Sequence, residues 1–136
     1  MMLTLAEIRD WLKTLDNKAE NYYIGKIDNK KEKSIGVYQL NLKRPNRVCI
    51  GGLDNTKTAS KSVSILFHYN KNAAETEQFA LSFFNELNEL SRVREIQIGS
   101  KIASFVELLN SEPVDVGTDD NGVYERVIEA TIYYDL

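Results

Sequence analysis

Residues 123–134 alternate along their whole length. Val123, Glu125, Val127, Glu129, Thr131 and Tyr133 point to one side of an extended chain, and Tyr124, Arg126, Ile128, Ala130, Ile132 and Tyr134 to the other. β-Branched and aromatic residues dominate both sets, as a pleated, half-buried surface prefers. The second set is the more apolar, so it is expected to face a core. A strand this long needs partners, and the nearest run with strand character is 101–109. Between them lies an acidic, turn-rich stretch ending in Thr118-Asp119-Asp120-Asn121-Gly122. There Asn and Gly tolerate positive φ, and Asp side chains bond nearby amides. The pattern predicts a long hairpin between 101–109 and 123–134, with 113–122 as its acidic loop.

The remaining periodicities supply the layers. Thr4-Leu5-Ala6-Glu7 is a capping box, in which the Thr hydroxyl accepts from the Glu7 amide while the Glu carboxylate reaches back. Leu5, Ile8, Leu12 and Leu15 recur at helical spacing behind it, so a first amphipathic helix is expected to run to about Asp16-Asn17. Residues 22–27, 34–42 and 47–50 read as strands. They are separated by the charged turn 28–33 and by Lys43-Arg44-Pro45-Asn46, and together suggest a meander. Gly51-Gly52 opens a polar connection before a strong strand at 62–69. Asn72, three residues before Glu75, caps a second helix whose stripe is Phe79, Phe83, Leu87 and Leu90. A short strand at 93–98 ends at Gly99. No repeat or linker divides the 136 residues. The expectation is one α+β domain, 1–136, with a mainly antiparallel sheet packed by an N-terminal helix and a long central helix.

Charge is distributed unevenly along the chain. Residues 1–71 carry 13 Lys/Arg against 7 Asp/Glu, and residues 72–136 carry 4 against 13. Either the fold interleaves the two halves and erases the asymmetry, or the subunit has oppositely charged flanks suited to head-to-tail contact in a ring. One cysteine, Cys49, excludes an internal disulfide framework, and no apolar stretch resembles a signal peptide or approaches the ~20 residues of a membrane span. Folding in a reducing cytoplasm is expected.

The residues that could do chemistry are few. His68 is the sole histidine, set by alternation among apolar neighbours, and Cys49 is the sole thiol, flanked by Val48 and Ile50. A Cys–His pair would require adjacent strands. A Cys in such a setting more often packs as a small hydrophobe. The run from Gly51 to Thr58 lacks the Gly immediately before Lys-Thr that a phosphate loop needs. Asp115, Asp119, Asp120 and Glu125 are calcium-type ligands by chemistry, but their spacing fails the EF-hand pattern. Tyr22, Tyr23, Lys26 and Tyr38 could form a stacking platform for single-stranded nucleic acid. An acidic pI of about 5.2 and the absence of recognisable RNA-binding sheet motifs weigh against it. No cofactor, membrane partner or sequence-specific nucleic acid is expected.

Several segments in fixed order carry a resemblance: Tyr22-Tyr23-Ile24-Gly25-Lys26-Ile27-Asp28, Lys33-Ser34-Ile35-Gly36-Val37-Tyr38, Ile50-Gly51-Gly52-Leu53-Asp54, Lys61-Ser62-Val63-Ser64-Ile65-Leu66, and Pro113 through Glu125. They resemble a family of minor capsid proteins from tailed phages and prophages of Gram-positive bacteria, itself similar to tail terminators and tail-completion proteins. The resemblance implies a non-enzymatic virion protein, folded in the host cytoplasm and located at the tail end or neck. Its subunits would form a ring, typically hexameric, on the tail tube, stopping tube growth and meeting the head connector. A ring subunit needs unlike surfaces and docking loops. The loops at 28–33, 53–61 and 115–122 make Lys30, Lys31, Lys57, Lys61, Asp115, Asp119 and Asp120 the candidate assembly contacts. The competing readings are a small hydrolase using Cys49 and His68, and a protein-binding module outside phages that shares the fold.

Overall fold

A computed structural model describes residues 2–41, 50–93 and 95–136. Its spine is the C-terminal strand β7 (Tyr124–Asp135), twelve residues long. On one side β7 pairs antiparallel with all of β3 (Thr58–His68), from Thr58↔Asp135 to His68↔Glu125. On the other side two shorter strands share it. β5 (Lys101–Leu108) lies against its second half and β6 (Val114–Thr118) against its first. The expected pairing of 101–109 with the last strand is therefore present, but not as a hairpin. The strand that turns directly into β7 is β6, inside the stretch expected to be loop. Backbone groups beside a long central strand find partners there, and this outweighs the weak strand propensity of Asp115 and Gly117.

The sheet order is β1-β2-β3-β7-β5-β4, where β1 is Asn21–Ile24, β2 is Ser34–Gln39 and β4 is Ile96–Ile98. β6 pairs β7 beside this path. All pairs are antiparallel except β1–β2, which are parallel, with Asn21 opposite Ser34 and Ile24 opposite Val37. This corrects the meander. Gly25 reverses the chain at φ 69°, and residues 25–33 run back across the sheet before β2 starts in the same direction as β1. Ile27, expected at the end of a strand, is buried in this return. A Cβ on Gly36 would stand 2.6 Å from Ile27 Cγ2, so the crossing needs glycine at that point.

Other boundaries moved less. β3 begins four residues before the expected Ser62, because β7 offers partners that far. The polar connection ahead of it holds a short 3-10 turn, Leu53–Asn55. The strand expected at 34–42 stops at Gln39, with Leu42 outside the described residues; residues 47–49 of the strand expected at 47–50, Cys49 among them, also lie outside them, while Ile50 sits in a turn. Helix α1 (Leu5–Leu12) starts at the capping box and stops earlier than its stripe suggested. Glu86 explains the stop: its carboxylate accepts the Asp16 amide at 2.6 Å and the Asn17 amide at 2.9 Å, so these donors need no helical partner. Helix α2 (Ala73–Leu90) is capped by Asn72, whose side chain accepts from the Ala74 and Glu75 amides.

Both helices lie on one face of the sheet. Ile128, Ala130, Ile132 and Tyr134 of β7 face them and are buried, as the alternation implied. Val63, Ile65 and Phe67 of β3 complete that surface, with Phe83 of α2 edge-on to Phe67 at 5.1 Å. α1 touches β1 and β2 at one side of the sheet and β4 at the other. The sheet therefore curls, and Glu7 at the start of α1 accepts from the backbone and hydroxyl of Ser100 in the β4–β5 turn.

Candidate assembly surface

The polar ends of the strands collect most of the residues of interest, and Asp115 with Arg126 lines a cavity beside β6. At one end meet the start of β2, the end of β3, the start of β7, the return segment 25–33 and the β6–β7 turn at 119–123. His68 ties them together. It is fully buried, with Nδ1 3.0 Å from Glu125 Oε2 and Nε2 3.2 Å from the Asn29 carbonyl oxygen. A carbonyl can only accept, so Nε2 is the donor in that contact. His68 therefore does not lie among apolar neighbours, as alternation alone suggested. The cross-strand register brings it opposite Glu125, and the return segment closes over it.

Asp119 is turned into this cluster. One carboxylate oxygen accepts from the Asn121 and Val123 amides, both at 2.9 Å, and so holds the turn. The other oxygen is buried, lacks a hydrogen-bond partner, and lies 3.6 Å from His68 Nε2. Asp120, Lys30 and Lys31 are exposed at the same end. Lys57 is exposed and Lys61 half-buried at the opposite end, where β3 begins. Asp115 lies between the two ends on exposed β6, 3.9 Å from Arg126, which also reaches Glu77 of α2 at 3.3 Å. The seven candidates thus divide into four at one end, two at the other and one on a sheet edge. Sequence reasoning missed Asn29 and Arg126 as partners. Arg126 had a visible signal, a lone cation in the otherwise apolar inward-facing set.

The arrangement is poor for catalysis. Both nitrogens of His68 are engaged, and no hydroxyl or thiol among the described residues bonds to it. No group of three or more His, Cys, Asp or Glu side chains among the described residues could hold a metal ion. Asp115, Asp119, Asp120 and Glu125 do not converge as a set: Asp119 and Glu125 flank His68 on its two nitrogens, Asp115 turns to Arg126 and Asp120 to solvent. No helix is long and apolar enough to cross a membrane.

β1, β2 and β3, all from the basic half of the chain, are contiguous in the sheet, and every strand of the acidic half lies beyond β3. The strands of the two halves are thus not interleaved in the sheet, although Lys30 and Lys31 of one half share a strand end with Asp119 and Asp120 of the other. A family model described as bacteriophage tail terminator protein matches residues 2–136. The chain belongs to the bacteriophage tail terminator family. Membership covers both helices and every strand, so the segments that carried the resemblance to phage minor capsid proteins lie within a tail terminator domain. No curated protein matches the chain. For a tail terminator, a phage structural role accords with a site made of loops, edges and charge.

Proposed function

We propose that this tail terminator acts without catalysis, as one subunit of a ring, hexameric in the family's usual form, that caps the tail tube and presents its other face to the head connector. The observation that carries the reading is the family match across 2–136, joined to a sheet in which the strands of the lysine-rich half of the chain form one block and those of the acidic half another. A closed ring requires two unlike, complementary lateral surfaces, and the charge division supplies them. The strand ends are then free for axial contacts. Lys30, Lys31 and Asp120 would serve one partner and Lys57 and Lys61 the other, with Asp115 at the lateral contact. The protein would reside in the virion at the tail end, assembled in the host cytoplasm.

Mixing the purified chain with growing tail tubes tests this. Tubes of limited length bearing a ring at one end, seen by negative-stain microscopy, are the expected result. A subunit that neither assembles, nor caps tubes, nor occurs in virions would overturn it.

A further inference from the structure

β6 is the barest strand of the sheet. All five of its residues are exposed, Val114 at 43% and Val116 at 50%, and it pairs with β7 alone among the described residues. At the far side of the strand order, β1 likewise has one partner, β2, and ends in Ile24, 42% exposed. An edge strand offers a row of unpaired N–H and C=O groups to any further strand. The two edges are separated by β2, β3 and β7, so a copy can use one without covering the other.

Charge selects which edges meet. Residues 18–33, around β1, contain five lysines against three acids; residues 107–125, around β6, contain no Lys or Arg and six acids, of which Asp119 and Glu125 turn to His68 and Asp115 meets Arg126 of β7. Two β6 edges would bring acids together, and two β1 edges lysines. Only the unlike pair is complementary, and repeating it head-to-tail produces a ring instead of a two-fold dimer.

We infer that the free edge of β6 docks the β1 edge of a second copy of this chain, extending the sheet from subunit to subunit. The lysines beside β1 then face the acids beside β6, while Lys30, Lys31 and Asp120 stay at the strand ends. This rests on the ring reading and specifies its lateral contact. Pro113 immediately before β6 and the bulge between Asp115 and Gly117 keep the edge short. Such features discourage uncontrolled strand addition in the free subunit, so docking depends on charge as well as on backbone pairing.

The test places Ile24→Cys and Val116→Cys, singly and together, in a full-length Cys49→Ser chain, assembles each on tail tubes and adds a short bis-maleimide. The double variant should give a ladder of covalent oligomers ending at the ring number, weakened at high salt. A mixture of the two single variants should stop at dimers. Efficient cross-linking of Val116→Cys alone would mean a two-fold contact and overturn the inference. Rings of the double variant visible by microscopy yet uncross-linked would overturn it while leaving the ring reading intact. If the Cys49→Ser parent and the unsubstituted chain form neither rings nor caps, the ring reading itself fails and takes this contact with it.

Discussion

Replacing Asp119 by Ala separates what holds the acidic hairpin from what it presents. The side chain is only 12% exposed and one oxygen accepts two backbone amides at 2.9 Å, those of Asn121 and Val123. Hydrogen bonds to an ionised acceptor contribute about 1.5–3 kcal/mol each in protected sites. Asn121 is exposed, so water replaces most of its lost bond, whereas Val123 is buried and its amide would be left bare. The sum is a loss of about 2–3 kcal/mol. At roughly 2.1 cal/mol/K of unfolding entropy per residue, this chain gives up about 0.3 kcal/mol per kelvin, so the melting temperature should fall by about 7–10 °C. Asp119→Asn can keep both amide bonds and should cost about 1 kcal/mol. Asp120→Ala, at an exposed position, should stay within about 0.5 kcal/mol of the parent. Calorimetry at neutral pH with urea titration distinguishes the three. An Asp119→Ala protein as stable as Asp120→Ala would refute the structural role assigned to this carboxylate.

Four further outcomes are expected. Asp115→Asn with Asp120→Asn should leave the melting temperature within about 2 °C but impair tube capping, read as uncontrolled tube length. Gly36→Val should destabilise by about 2–3 kcal/mol in urea denaturation, because the new side chain meets Ile27 where the return segment crosses β2. Glu86 is pushed upward by burial but held below the ordinary carboxylate range by the Asp16 and Asn17 amides, and Glu7 is held at about 2, chiefly by the Ser100 amide. Both depressions stabilise the fold above the ordinary glutamate value and are lost as pH falls through the folded values. Acid denaturation between about pH 4.5 and 2 should therefore be shallower in a Glu7→Gln, Glu86→Gln protein. Ring formation or capping should weaken between low and high salt, since exposed opposite charges are screened.

Much of the architecture was legible locally. The capping box at Thr4, the Asn72 cap, the stripe of Phe79, Phe83 and Leu87, and the inward set Ile128, Ala130, Ile132 and Tyr134 are each decided by near neighbours in the chain. The parallel β1–β2 pair was not legible, because a short charged connection ordinarily signals a hairpin. Here Gly25 and the missing side chain of Gly36 let it cross the sheet instead. Strand β6 was read as loop because Asp115, Gly117 and the residues around it are turn-formers, which hid the alternation of Val114, Val116 and Thr118; it is a strand because β7 is long enough to hold it. The candidate contacts were legible as residue types and not as geometry. Asp119 and Asp120 are adjacent in sequence, yet one is folded inward toward His68 and the other faces water.

Periodicity, caps and the single cysteine determined by themselves an α+β domain without disulfide support, and the linear charge count revealed two unlike halves. Only the tertiary structure decided that the strands of those halves form contiguous blocks of one curled sheet, that His68 is enclosed by Glu125, Asp119 and Asn29, and that β6, β1 and β4 each have one partner strand among the described residues. Alternation and capping depend on residues a few positions apart, so they can be read along the chain. Strand order, register and which edge stays unpaired depend on contacts between distant segments, where backbone hydrogen bonding and the burial of a shared face outweigh local preference.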